Sequence, residues 1–159
     1  MKAAYAPIAA LAAASLLAVA GCGASGEQKT AAEDADMKAQ VEQVCRQVAT
    51  ELKGLEMPTT QAAAVKTQTE SAQIFKNAAA KLNELGSNVE LPGSYKSWLG
   101  VYEKLSGLNQ QAANVFKSNG ITSDQAIKAG EEWQAQATKA NDLASKAGLD
   151  NCIVGQPKG

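Results

Sequence analysis

After about Ala32, apolar residues recur at steps of three and four, and the pattern never yields to strict alternation. That periodicity predicts amphipathic helices and no strands. The first segment carries Val41, Val44/Cys45, Val48, Leu52 and Leu55, and Gly54 and Pro58 end it. The second opens on Thr59-Thr60 as cap candidates. It runs through Ala62, Val65, Thr69, Ala72, Phe75, Ala79, Leu82 and Leu85 to Gly86. Pro92-Gly93 precede the third, which starts at Ser94 and carries Tyr95, Trp98, Tyr102, Leu105, Leu108, Ala112 and Val115/Phe116 before Asn119-Gly120. The fourth starts at Thr122 or Ser123, carries Ile127, Gly130, Trp133, Ala137, Ala140, Ala144 and Ala147, and stops at Gly148. Short connections make consecutive helices antiparallel, so the expected fold is an all-α, up-down-up-down four-helix bundle.

Composition narrows the chemistry. The 159 residues hold 15 Lys+Arg against 16 Asp+Glu, a net charge of −1. Basic residues are scattered rather than striped, so nucleic acid is not an expected partner. The chain has no histidine, which removes His-ligated zinc or haem and any Ser-His or Cys-His nucleophile pair. Aromatic residues make up only 4%. Alanine takes their place in the helices, where it favours helix formation and close packing.

The first residues read as an address. Met1-Lys2 gives a positive start, and Ala3 to Ala20 is an uncharged apolar run closing on small residues before Cys22, the pattern of a secretory signal. Val19-Ala20-Gly21-Cys22 resembles the bacterial lipobox. That resemblance implies a diacylglyceryl group on the Cys22 thiol and cleavage just before it. The expected layout is a signal over 1–21, lipidated Cys22 with a flexible tether over 22–36, and the bundle over 37–159. Gly21-Cys-Gly23-Ala-Ser-Gly26 also fits the G-x-G-x-x-G spacing. It lacks the surrounding βαβ unit that gives that spacing its meaning, and is set aside.

With Cys22 assigned to lipid, Cys45 and Cys152 remain, and in an exported chain an even pair reads as a disulfide. The proposed topology agrees, because the end of helix four returns toward helix one. Residues 140–152 then read Ala-Asn-Asp-Leu-Ala-Ser-Lys-Ala-Gly-Leu-Asp-Asn-Cys. A last helix running into Gly-Leu-x-x-Cys, together with an alanine-rich lipobox signal, resembles small secreted helical lipoproteins of actinobacteria. The resemblance covers residues 1–22 and about 140–152 and brings no assigned activity, so no functional residues carry over.

Candidate chemistry is sparse. Tyr95, Trp98 and Tyr102 share one helix face, and with Trp133 they are the candidates for lining a small apolar ligand site. The same spacing also describes a core stripe, and that reading is preferred. Glu33, Asp34 and Asp36 suit the start of a helix without any ligand, and Glu131-Glu132 are adjacent and point apart. Met37 and Met57 lie near opposite ends of the first helix, so neither a metal nor a cofactor is expected. The mature chain contains no G-x-S-x-G, S-x-x-K or Walker motif, and no enzyme is expected. The functional expectation is a lipoprotein on the outer face of the bacterial cytoplasmic membrane, docking to an envelope or membrane protein, with Leu91 and Ile153 as candidate contacts. The alternative is a carrier of a small apolar ligand between the helices. A cavity of ligand size would favour the carrier; a tight core beside an exposed apolar patch would favour docking.

Overall fold

A computed structural model describes residues 31–87 and 93–155, with the backbone alone over 31–34. The signal, Cys22, the start of the tether and Leu91 lie outside the described residues. Four helices follow in order: α1 (Ala31–Lys53), α2 (Gln61–Ser87), α3 (Gly93–Asn119) and α4 (Asp124–Lys146). A single 3-10 turn, η1 (Asp150–Cys152), comes last. There is no strand among the described residues, so the bundle has the all-α architecture that the periodicity predicts. α1 begins at Ala31 and takes in residues 31–36.

The helix boundaries have local causes. Thr60 opens α2, its Oγ1 accepting from Ala63 N at 3.2 Å. Ser123 caps α4 in the same way, accepting from Ala126 N at 3.1 Å. Such caps stabilise a helix end by about 1 kcal/mol each. Gly120 ends α3 with φ at 87°, a conformation that costs a side-chain-bearing residue. At the end of α4, Gly148 turns left-handed (φ 68°). Leu149 N donates to Ala144 O at 2.8 Å and Gly148 N to Ser145 O at 3.1 Å, the bond pair of a Schellman cap. Leu149 is thereby folded back into the core, with no exposed surface.

That reversal positions the bridge. Cys45 lies just beyond the middle of α1, so Cys152 has to climb back from the end of α4 to meet it. The chain does so through η1, and the Cys45–Cys152 disulfide forms with the Cα atoms 4.9 Å apart. Asn151 Nδ2 donates to Glu42 Oε2 at 2.9 Å and adds a second tie to α1. The returning segment therefore sits between α1 and α4. Among the described residues, no Cα of α1 comes within 8 Å of one of α4.

Packing differs along the bundle. Large side chains fill the half that carries the bridge: Met37, Val41, Phe75, Leu82, Trp98, Tyr102, Leu105 and Leu149 are all buried. Phe75 meets Tyr102 edge-on at 5.3 Å, and Trp98 lies 4.9 Å from Tyr102. Toward the other end the buried residues are mostly alanines, among them Ala64, Ala112, Ala113, Ala126 and Ala129. They let α2, α3 and α4 approach closely but reach too little to fill the space beneath α1.

Candidate functional site

The space left between α1 and α4 is a cleft of about 720 Å³, open to solvent along one side. Its size is within the range of small-molecule sites. Val48 and Leu52 of α1, with Leu55 just beyond it, form one wall; Ala129, Gly130 and Trp133 form the α4 wall. The back is built from Ser71 and Phe75 of α2 with Tyr102, Asn109, Ala112 and Phe116 of α3. The Cys45–Cys152 bridge and residues 153–155 close the end nearest the core, and Met57 and Pro58 stand at the other.

The floor at the core end is held in place by side-chain chemistry. Asn141 Oδ1 accepts from Val154 N at 2.8 Å, and its Nδ2 donates to Val154 O at 2.9 Å. One residue on, Gly155 has φ at 74°, and a Cβ there would come within 3.6 Å of the Trp133 ring. Glycine thus permits the turn, while a Cβ would reach the indole only at ordinary contact distance. At the far end, Thr67 Oγ1 donates to Glu56 O at 3.4 Å and draws the α1–α2 connection onto α2.

The interior is apolar but not featureless. Asn109 is 4% exposed and Ser71 is 8% exposed. Asn109 Nδ2 donates to Leu105 O at 2.8 Å, whereas neither Asn109 Oδ1 nor Ser71 Oγ bonds to any described residue. Those two oxygens keep contact with solvent, whereas the Trp133 indole nitrogen is fully buried without a partner. Burial drives the Tyr102 phenol above its ordinary pKa and keeps it neutral. The acidic and basic residues lining the cleft are Lys53 and Glu56, and both are exposed at its rim. No group of three or more metal-ligating side chains assembles among the described residues, and no described helix is long and apolar enough to cross a membrane.

The structure divides the four aromatic candidates. Tyr102 and Trp133 line the cleft; Tyr95 and Trp98 do not. Trp98 is a core residue, 2% exposed, and Tyr95 is half-buried against the core. Ile153 is half-buried, packs on the core and lines the cleft floor. Phe75 and Phe116 carry the same helical signal as the other aromatics, and their part in the cleft follows from α1 standing away from α4. Ser71 and Asn109 sit on the buried stripes of α2 and α3, four residues from Phe75 and Leu105, but being polar they give no hydrophobic signal, and only their burial marks them.

Protein-family models, curated proteins and solved structures were all compared with the chain, and none matches. The reading of the site therefore rests on its own geometry.

Proposed function

We propose that this chain is an exported lipoprotein, anchored through Cys22, whose bundle holds a small apolar ligand in the α1–α4 cleft. The observation that carries the ligand reading is the cleft itself: a space of about 720 Å³, kept open because the returning C-terminal segment separates two helices that would otherwise pack. A bundle built only for stability gains by filling such a space, since unfilled volume forfeits dispersion and burial. The anchor would place the site beside the bilayer, where apolar molecules are concentrated. Docking to an envelope protein is the second reading. Its support is a set of exposed apolar side chains, Met57 (90%), Ile127 (57%) and Ile121 (42%), all at the end of the bundle away from the bridge.

The test of the carrier reading is photocrosslinking of the full-length chain in its membranes with an alkyl diazirine. Crosslinks on peptides carrying Leu52–Met57, Phe116 and Trp133, competed by excess unlabelled lipid, are the expected result. Labelling spread over the outer helix faces, without competition, would overturn it.

A further inference from the structure

The cleft's lining also selects a head group. This step rests on the carrier reading and goes beyond it. We propose that the occupant is a neutral long-chain lipid bearing a hydroxyl, with that hydroxyl set between Asn109 and Ser71 on the back wall.

Charge is the first filter. The interior offers no cation or anion, since Lys53 and Glu56 stand exposed at the rim. A carboxylate, phosphate or ammonium drawn to the back wall would give up its hydration and meet no counter-charge, which is strongly unfavourable. The ligand's buried part is therefore neutral.

Hydrogen bonding is the second filter. A backbone carbonyl only accepts, so the contact with Leu105 O at 2.8 Å fixes the Asn109 amino group on that side. The Oδ1 atom is left needing a donor. The partners are close in register: Ser106 Oγ donates to Ala72 O at 2.9 Å, Ser71 is the neighbour of Ala72, and Asn109 lies about one turn beyond Ser106. A hydroxyl oxygen between them donates to Asn109 Oδ1 and accepts from Ser71 Oγ, so both groups keep partners when the ligand excludes water from the cleft. An ether, ester or ketone has no proton to donate. A carboxylate would set its oxygens against Oδ1.

The test uses three photoreactive probes of one alkyl chain, an alcohol, its methyl ether and the carboxylate, applied to membranes carrying the full-length chain. The alcohol should label the cleft peptides about three- to tenfold more than the ether, the span that one neutral hydrogen bond gives. The carboxylate should fall below both. Asn109→Leu should bring the alcohol down to the ether's level with the ether's own yield unchanged, and Ser71→Ala should reduce the alcohol's advantage in a variant that disturbs packing less. Equal labelling by alcohol and ether in the unmodified protein, preference for the carboxylate, or a full alcohol preference surviving in both variants would overturn the head-group assignment while leaving an apolar site. Absence of cleft labelling by all three probes would instead overturn the carrier reading, and this inference with it.

Discussion

Asn141 and Val154 are joined by two hydrogen bonds, 2.8 and 2.9 Å long, through which one side-chain amide satisfies both backbone groups of the same residue. The pair fixes the C-terminal segment along α4 and so sets the floor of the cleft. Asn141→Ala removes both bonds and leaves the N–H and C=O of the buried Val154 without partners. A loss of about 1–3 kcal/mol is expected in urea unfolding, with earlier proteolytic cleavage around Ile153 than in the unmodified protein. Asn141→Asp, which retains the acceptor for Val154 N but places a second oxygen against Val154 O, should lose stability as well.

The bridge constrains a far longer stretch. Cys45 and Cys152 are separated by 107 positions, and a loop of that size corresponds to about 4–5 kcal/mol in the chain-entropy account. Exported protein, denatured without reductant, should therefore show no free thiol at these positions. Replacing the pair by serine should lower urea stability by up to that amount. Because α1 reaches the α4 side only through the returning segment, hydrogen exchange should accelerate most in α1 and least in the α2–α3 pair.

How much of this was legible in the sequence follows from what periodicity reports. Steps of three and four identify helices and, through Thr60, Ser123 and Gly148, most of their ends. The two cysteines left beside Cys22, with export expected from the signal pattern, point to the bridge. Periodicity is weaker on which flank of a helix turns inward: Ile127 lies on the apparent stripe of α4 and is 57% exposed, whereas Ala126 and Ala129 are each 5% exposed. Nor does periodicity show the cleft, whose origin is a chain reversal that depends on how far Cys152 must travel to reach Cys45. Ser71 and Asn109 are polar and so invisible to a search for apolar faces.

Tyr102 gives the bundle an alkaline limit. Burial raises its pKa above the ordinary value of about 10, so above that pH the unfolded chain releases the phenolic proton while the folded chain retains it. The unfolded state then binds fewer protons, and stability falls as pH rises. The stabilisation is complete below about pH 10 and should decline by about 1.4 kcal/mol per pH unit above it, until the folded phenol also ionises. Tyr102→Phe should remove this slope. The difference between the two proteins in unfolding free energy, followed from pH 9 upward, isolates it from the other titrating groups.

The anchor has its own test. Cys22→Ala should leave an unprocessed precursor that no longer incorporates a clickable fatty acid, while the unmodified protein should pellet with membranes and resist a salt wash, as two acyl chains require. Normal fatty-acid incorporation by the variant would sink the lipoprotein assignment.

Gly130 separates the stability of the bundle from the use of its cleft. It lies within α4 and lines the cleft, and a Cβ added there would meet no other atom within 4 Å. Glycine inside a helix costs about 0.5–1 kcal/mol relative to alanine, so Gly130→Ala should raise the unfolding free energy by roughly that amount and leave the cleft open. Gly130→Phe gives up part of the helical gain, but places a ring in the cleft that Trp133 and Val48 also line. The two variants should therefore differ in one respect. Both should keep the helical signal and a melting temperature at or above that of the unmodified protein, whereas only the phenylalanine variant should lose competable crosslinking to the cleft peptides. If Gly130→Phe binds the alkyl probe as well as Gly130→Ala does, the probe is not held between α1 and α4, and the exposed end carrying Met57, Ile121 and Ile127 becomes the surface to mutate next.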